Sequence, residues 1–569
     1  MNRSILSAFA FGAGTFALLT AAAPATVLSP TVVADVPHVA LSDLGLAPAN
    51  GRISIALTLN YRNRALLDQI TELQIDETSP LFEHWLTPQQ FNDSFAPTPA
   101  QYAQVARTLQ RAGFTITNSY ANRTVIDATG TVGAAERLFD TEIHQVMQPG
   151  VGRRYANVRP AVVPAELGSL VLNVDGLHDL QLVHTHIATV RPHGGGGVNP
   201  QAAGAPLYGP TSSETGLAGF GPLAFSQGYD LPEQHAVGAG YYDGTGRASG
   251  VVIDADFLDS DLSTFLSYFN VTRDGPATSR VLVDGGPPSG DQDGDSIETT
   301  LDVETIVSNA PGTALYVYEM PALSNQDITD SYNKVVSDNL VDTANSSFGG
   351  SELAIGKTTV EAWDSIAEQG GALGITFHAS SGDSGSDGGA VEAPASSPHF
   401  VAIGGTDLSV DSNGNYTGET GWSGSGGGVS HVFPVPKYQK SITGVLKTGR
   451  NVPDLAFDAD PYTGAAYYYG GSWNTAYNPL GGTSLASPIF GASLTETDEV
   501  LGARTGLAAV DIFAFFKKNG YGTTTTYFHD ITSGSNGEYR AGTGYDRVTG
   551  IGSTDAFNLV AAFEKKKKK

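Results

Sequence analysis

The feature that most constrains the fold of this 569-residue chain is a long alternation of strand-like and helix-like segments between residues 211 and 564. The apolar run 249–254 predicts a strand, and the periodic run 262–269 after it predicts a helix. Further strands are predicted at 281–284, 315–319, 343–347, 375–380 and 400–404, and further helices at 296–308, 329–337 and 358–369. Strands that alternate with helices form a parallel sheet flanked by helices, so we predict an α/β domain with its site at the carboxyl ends of the strands.

Residues 30–190 precede this domain and have a different pattern. Thr98 and Gln101 stand at the N-cap and N3 positions around Pro99, which predicts a capped helix start. A second helix is predicted at 132–139, and strands are predicted at 114–120, 124–129 and 142–147. This mixture of helices and hairpin-like strands predicts a separate α+β domain.

A Gly- and Pro-rich linker at residues 191–210 joins the two domains. Segments of this composition are exposed and easily cut, so we predict that a maturation cleavage falls there.

The first 25 residues have the pattern of an export signal. Arg3 precedes the apolar run 5–19, and Ala23-Pro24-Ala25 offers a small-x-small cleavage site. We expect a secreted, extracellular or periplasmic protein without a stable membrane anchor, since the run is short for a bilayer span. The terminal lysines at 565–569 are assigned no function.

Charge and cysteine content exclude several classes of protein. The chain has 58 acidic and 31 basic side chains, a net charge of −27, whereas nucleic-acid binding requires basic patches. It contains no Cys, so disulfides, thiolate metal sites and Cys nucleophiles are excluded.

The motif that carries the most chemistry is Gly481-Gly482-Thr483-Ser484, followed four residues later by Pro488. A Gly-Thr-Ser turn at the start of an apolar helix places the serine where free N–H groups and the helix dipole stabilise a developing oxyanion. Gly-Thr-Ser alone would fit an ordinary helix start, but the longer pattern favours a nucleophilic Ser484.

A serine nucleophile needs a base, and the His-Gly-Thr turn of subtilisin-type enzymes is missing from this sequence. Carboxylates are the better candidates. Glu298 and Asp302 are four residues apart, so they share one face of the predicted helix 296–308. Adjacent carboxylates that share a proton suit proton transfer on the acid side, but the spacing alone also fits a solvated acidic face.

A third carboxylate, Asp383, directly follows the predicted strand 375–380. That end of a parallel strand is where sites form. An ordinary turn at the strand end is the alternative.

Together these segments resemble the sedolisins, or serine-carboxyl peptidases, a family that includes kumamolisin. The resemblance rests on the carboxylate pair, on the strand end at Asp383, on Ala393–Pro398 leading into Gly404-Gly405-Thr406, and on the Ser484 motif, which stand in the family's order. Residues 30–190 resemble the family's activation domain through Trp85–Phe91, Gly113-Phe114 and Tyr155-Ala156-Asn157.

The resemblance implies a subtilisin-like fold in a secreted, acid-acting endopeptidase made as a zymogen. In the implied mechanism Ser484 attacks the peptide carbonyl, Glu298 is the general base, and Asp302 orients Glu298. Asp383 is protonated and donates to the oxyanion beside the N–H of Ser484. The implied partners are protein or peptide substrates and the chain's own prodomain as an intramolecular inhibitor, and we expect a monomer.

The resemblance also implies one structural Ca²⁺ near the C-terminus. Its predicted ligands are Asp530, Ile531, Gly542, Gly544 and Asp546. Carboxylates and flexible backbone carbonyls are the hard oxygen donors that Ca²⁺ prefers.

Two other functions compete with this interpretation. A secreted pseudo-peptidase that only binds peptides would lack a catalytic residue, and none of the four is missing. A metal-dependent hydrolase would carry a His-Glu-x-x-His motif, which is absent. His184 and His186 form only an alternating pair, interpreted as strand packing or surface.

Overall fold

The computed structural model describes residues 31–76, 78–189, 219–237, 240–288, 294–473 and 479–567. The predicted export signal and the linker 191–210 lie outside the described residues. Within the described part of the chain, no helix is long and apolar enough to cross a membrane.

The prodomain is an α+β unit, as predicted. Its main sheet is antiparallel and holds, in order, Thr115–Ser119, Val125–Thr131, Arg52–Leu59 and Val171–Asp175. Thr98 forms the predicted capping box at the start of Pro99–Arg111. The described strands up to residue 189 are Thr31–Ala34, Ser42–Leu46, Arg52–Leu59, Thr115–Ser119, Val125–Thr131, Ile143–Gln148, Gly152–Asn157, Ala161–Val163, Val171–Asp175, His184–Thr185 and Ala188–Thr189, and the helices are Arg64–Gln74, Pro88–Ser94, Pro99–Arg111 and Val132–Phe139.

The larger domain is built on an eight-stranded sheet, which confirms the predicted subtilisin-like parallel sheet flanked by helices. Across the sheet the strands are Ser279–Leu282, Ala314–Glu319, Ala248–Ile253, Thr343–Ser346, Thr376–Ser380, Phe400–Val410 and Tyr416–Gly421. Leu455–Asp458 also pairs with Phe400–Val410, and only Tyr416–Gly421 runs antiparallel to its neighbour. The strands ending at Ser346 and Ser380 are central, so their carboxyl ends open beside each other.

The remaining elements surround this sheet. The described helices are Pro222–Gly228, Asp259–Tyr268, Gly294–Asn309, Asn325–Asp338, Glu352–Ile355, Lys357–Leu373, Thr483–Leu501, Ala508–Asn519 and Ala556–Lys567, with 3-10 turns at Pro232–Gln234 and Asp387–Gly389. The short strands are Ala236–Val237, Gly240–Tyr241, Phe348–Ser351, Glu392–Ala393, Gly428–Val429, Asn451–Val452, Tyr468–Tyr469, Ser472–Trp473, Leu480–Gly481, Phe528–His529 and Ser553–Thr554.

Two helices of this domain bring the predicted catalytic residues together. The helix Gly294–Asn309, called the Glu298 helix below, packs against the helix Thr483–Leu501, called the Ser484 helix. Leu301, Leu485 and Ile489 belong to the same buried apolar cluster. Burial of one such side chain is worth about 1.5–3 kcal/mol, so this packing fixes the helices relative to each other.

The prodomain packs against the helices Asn325–Asp338 and Lys357–Leu373 of the larger domain. At the first of these, Oδ1 of Asn333 accepts hydrogen bonds of 2.7 Å from both the Asn122 amide and the Thr124 hydroxyl. These polar groups are buried and paired with each other across the two domains, which makes their geometry specific.

Candidate active site

The Glu298 helix carries two buried carboxylates. Glu298 and Asp302 are both 0% exposed, because this face of the helix packs into the protein. A solvated acidic helix face, the alternative that the spacing left open, is therefore wrong. Each of two carboxylates that are buried on one helix face raises the pKa of the other, because a second negative charge is unfavourable there.

Asp302 is held by two neutral donors from the end of the strand Thr343–Ser346. Its Oδ1 accepts a hydrogen bond of 2.7 Å from Ser347, and its Oδ2 accepts one of 3.0 Å from the Asn345 amide. Burial raises the pKa of Asp302 to about 8, although these two donors act in the opposite direction. Asn345 in turn accepts a hydrogen bond of 2.6 Å from Ser487 on the Ser484 helix, so the carboxylate is tied to both helices.

Glu298 lies between Asp302 and the serine. Burial and the charge of Asp302 raise its pKa well above the usual range, while the Ser484 hydroxyl acts to lower it. Within the described residues neither Glu298 oxygen has a hydrogen-bond partner, since Ser484 Oγ donates instead to the carbonyl of Ser347 at 3.1 Å. Catalytic hydrogen bonds that are long before the reaction commonly shorten during it, so this geometry fits a general base that is not yet engaged.

The turn before Ser484 is shaped by Gly482, whose φ of +98° lies in the left-handed region. A Cβ at this position would lie 2.1 Å from the carbonyl oxygen of His186 and 2.5 Å from Oδ2 of Asp383. Only glycine fits here, and these two oxygens lie close together on one side of the turn. The turn thereby leaves room for a peptide carbonyl beside Asp383.

Asp383 is anchored by one of its two oxygens. Oδ1 accepts hydrogen bonds from the Thr483 N–H at 2.7 Å and from the Thr483 hydroxyl at 2.8 Å. Oδ2 is buried and has no hydrogen-bond partner in the part of the chain that the structure describes. Burial raises the pKa of Asp383 to about 6, against the opposing effects of His186 and Thr483. The free Oδ2 is thus the atom that would carry a proton toward a reacting carbonyl.

The end of the prodomain occupies this site as an extended strand. His184–Thr185 pairs antiparallel with Phe348–Gly349, and Ala188–Thr189 pairs antiparallel with Leu480–Gly481. Between these ladders, the N–H of His186 donates to the carbonyl of Ser347 at 3.1 Å, and the N–H of Ser484 donates to the carbonyl of His186 at 3.2 Å. The peptide group after His186 is therefore held at the predicted nucleophile.

The side chain of His186 fills a closed pocket beside the strand end. Its ring nitrogens lie 2.7 Å from Ser380 Oγ and 2.7 Å from Glu392 Oε2. Burial acts to lower the pKa of His186, but Glu392 outweighs it and raises that pKa. Burial likewise opposes ionisation of Glu392, but His186 lowers its pKa. The two side chains form a part-buried ion pair when His186 is protonated.

Of the pair interpreted as strand packing or surface, His184 is exposed on its strand and His186 is buried, but its contacts with Ser380 and Glu392 were not predicted. The sequence offered only a weak signal, a His-x-His alternation just before the linker. Glu392 and Ser380 were also missed, since nothing in their local patterns marks the pocket that the fold builds.

The predicted Ca²⁺ residues also lie together. The N–H of Gly544 donates to Asp530 Oδ1 at 3.0 Å, and the N–H of Gly542 donates to Asp546 Oδ2 at 2.9 Å. Both carboxylates thus converge on one loop that also offers backbone carbonyls. This oxygen-only donor set fits Ca²⁺.

Comparisons with known proteins agree with this architecture. The family model described as "Pro-kumamolisin, activation domain" matches residues 40–180, and the one described as "Subtilase family" matches residues 289–502. Sedolisin from Pseudomonas sp. (strain 101) is 31% identical over 600 residues, which span 99% of this chain and 96% of that protein. Kumamolisin from Bacillus sp. (strain MN-32) is 28% identical over 552 residues, which span 91% of this chain and 93% of that protein.

A solved structure is similar as well. The structure of Pseudomonas sedolisin (serine-carboxyl proteinase) is 30% identical to this chain and superposes with a TM-score of 0.53. The match covers 61% of this chain and 99% of that one.

Proposed function

We propose that this chain, which belongs to the sedolisin family of serine-carboxyl peptidases, is a secreted endopeptidase that acts in acid through an acyl-enzyme on Ser484. Membership of the family makes it a serine peptidase made with an activation prodomain. The site residues, the acid dependence, the maturation point, export and Ca²⁺ binding are our proposals.

The observation that carries the proposal is the position of the His186 carbonyl oxygen. It accepts the N–H of Ser484 at 3.2 Å and lies on the same side of Gly482 as the free Oδ2 of Asp383. An N–H group and a protonated carboxyl aimed at one carbonyl oxygen form an oxyanion hole. This arrangement supports attack by Ser484 on a peptide bound as this segment is bound.

The proposed proton transfers use the buried carboxylate pair. Glu298 takes the proton of the Ser484 hydroxyl as the serine attacks, and then returns it to the leaving amine. Asp302 positions Glu298 and is itself held by Ser347 and Asn345. In the form that acts as base, the pair has lost one proton and carries a single negative charge, because burial makes a second charge strongly unfavourable.

The acid dependence follows from Asp383. The pKa of this carboxyl is raised by burial to about 6, so it is protonated and donates below that pH. As the pH rises through that value, Asp383 ionises, the donor is lost, and a negative charge faces the oxyanion. We therefore propose that activity falls as the pH rises above about 6.

We also propose that the prodomain inhibits the enzyme by occupying its cleft and that maturation begins at the bond His186–Ile187. This point lies just before the linker 191–210, where the composition predicted the cut. Later trimming within the linker is compatible with a first cut at His186.

Two further proposals concern the ends of the chain. Residues 1–25 are an export signal that is removed, which makes the mature protein extracellular or periplasmic. One structural Ca²⁺ is held by Asp530 and Asp546 together with carbonyls of Ile531, Gly542 and Gly544.

The test is hydrolysis of casein and of a fluorogenic peptide from pH 3 to pH 7 by the parent and by Ser484→Ala. We expect the parent to cut only on the acid side and Ser484→Ala to be inert while still folded by circular dichroism. Equal hydrolysis by both would exclude Ser484 as the nucleophile. An inert parent that still binds peptide would instead favour the pseudo-peptidase.

A further inference from the structure

Three carboxylates meet where the prodomain packs against the larger domain. Asp127 lies on the prodomain strand Val125–Thr131, Asp330 lies on the helix Asn325–Asp338, and Asp284 follows the strand Ser279–Leu282. One oxygen from each lies within 4.8 Å of the others. The cluster therefore joins elements that are distant in sequence and belong to two domains.

Two members of this cluster are buried carboxylates. Asp127 is 3% exposed and Asp330 is 0% exposed, and none of their four carboxylate oxygens has a hydrogen-bond partner among the described residues. Lys334, one turn along the same helix, donates instead to Asp338 at 2.6 Å. Buried carboxylates at this spacing are strongly unfavourable unless a cation or protons offset them.

The hydroxyl of Tyr120 is a neutral donor beside this carboxylate cluster. Tyr120 is 8% exposed, and its hydroxyl has no hydrogen-bond partner among the described residues. Burial raises the pKa of this hydroxyl, and the charges of Asp330, Asp127 and Asp284 raise it further, so the hydroxyl lies beside all three carboxylates. It offers a fourth oxygen to anything bound there.

A cavity of about 240 Å³ adjoins the cluster at Asp284, and its lining also includes Asn118, Tyr120, Lys334 and Asp338. Asp284 is the exposed member of the three carboxylates. A cavity of this size admits an ion with several water molecules.

We propose that Asp127, Asp284 and Asp330 bind one divalent cation of the Ca²⁺ type, which ties the prodomain to the larger domain. Ca²⁺ binds oxygens at about 2.3–2.6 Å, so any two of its ligands lie at most roughly 5.2 Å apart. Separations of no more than 4.8 Å within this cluster are compatible with one such shell. Ca²⁺ accepts irregular sets of oxygens, whereas Mg²⁺ demands near-ideal octahedral geometry and loses its water reluctantly. Water from the cavity and the Tyr120 hydroxyl complete the shell.

The cation would bind the zymogen only, because Asp127 leaves with the prodomain. Anything that binds one state and not the other stabilises the state it binds. Ca²⁺ at this site would thus hold the prodomain in place until the ion is lost. This inference does not depend on which residue is the nucleophile.

The experiment uses the full-length Ser484→Ala protein, which we expect to remain uncleaved, stripped with EDTA and titrated with CaCl₂ at pH 7. Bound ions are counted by calorimetry and by metal analysis after gel filtration. Variants that also carry Asp127→Asn or Asp330→Asn remove one ligand from either side of the interface. Asp93→Asn is the control, since Asp93 is an exposed prodomain carboxylate outside both the cluster and its cavity.

We expect Asp127→Asn and Asp330→Asn each to bind one Ca²⁺ fewer than the parent, and Asp93→Asn to bind as many as the parent. The unfolding temperature should rise with Ca²⁺ more in the parent than in the two cluster variants. An ion lost through Asp546→Asn identifies the C-terminal site separately. If both cluster variants are folded and bind as many ions as the parent, the proposal is wrong; the same holds if the parent binds none beyond the ion lost in Asp546→Asn.

Discussion

The backbone N–H of Ser484 donates a hydrogen bond of 3.2 Å to the carbonyl oxygen of His186, the residue that directly follows the prodomain strand His184–Thr185. The chain thus presents one of its own peptide groups to the proposed nucleophile. The proposed inhibition and the proposed first cleavage both rest on this contact.

The carboxylate pair should be required for chemistry but not for folding. We predict that Glu298→Gln lowers kcat by about 10²–10⁴-fold, the usual contribution of a general base. Asp302→Asn should lower it less, because the amide still fits between Ser347 and Asn345 but no longer bears charge. Stopped-time assays on acid-activated protein measure both, and near-parental kcat in Glu298→Gln would show that another group is the base.

Asp383 should set the alkaline limit of activity. Asp383→Asn keeps an oxygen for the two Thr483 donors and puts an amide N–H where the free Oδ2 stands, so it donates at every pH. We predict that its activity extends above pH 6, whereas Asp383→Ala loses about 10²–10³-fold in kcat because an oxyanion donor is removed. The check is the pH profile of kcat, and an unchanged alkaline limb in Asp383→Asn would refute the assignment.

The pocket around His186 should favour histidine before the cleaved bond. Glu392 forms a charged hydrogen bond with the ring, and such bonds are worth about 1.5–3 kcal/mol, or roughly 10–100-fold. We predict that Glu392→Gln loses this factor in kcat/KM for a peptide with His at that position, but not for its Phe analogue. Glu361→Gln, away from the pocket, is the control, and equal losses on both peptides would point to a structural effect.

Release of the prodomain should depend on Arg64. Arg64 pairs with Glu368 across the two domains. The pKa of Glu368 is raised by burial to about 7, with His399 and Arg64 opposing that rise. The carboxylate is charged above this pH and binds Arg64; below it, Glu368 is protonated and the attraction is lost.

Arg64→Ala removes the same attraction at every pH. We predict that its cleaved prodomain separates on gel filtration at a higher pH than the parental one. Lys357→Ala, which breaks an ion pair within the larger domain, should leave this pH unchanged. Identical elution of Arg64→Ala and parent across the pH range would contradict the prediction.

The elements of the fold that follow local rules could be predicted from sequence. Thr98 and Gln101 specify a capping box through contacts three residues apart, and the structure confirms it. The order of strands and helices in the larger domain could likewise be predicted, because apolar residues recur with different periods in strands and in helices. Ends differed by a few residues, since capping and packing decide where a helix stops.

What could not be predicted depends on contacts between distant segments. The spacing of Glu298 and Asp302 predicted that they share one helix face. Whether that face is buried depends on packing against the Ser484 helix, which the spacing does not encode. The His186 ring is bound by Glu392, which lies 206 residues later in the chain. Asp127 and Asp330 meet only because the prodomain docks, which no local pattern encodes.

The most direct test of the account follows the full-length protein over time at pH 4 and at pH 7, with N-terminal sequencing of the first products. We predict that the parent yields a first fragment beginning at Ile187 at pH 4 only, and that Ser484→Ala stays full length at both pH values. Cleavage of Ser484→Ala at the same bond and rate, in the absence of other peptidases, would contradict the assignment of Ser484. A first fragment that begins elsewhere would contradict the assignment of His186–Ile187.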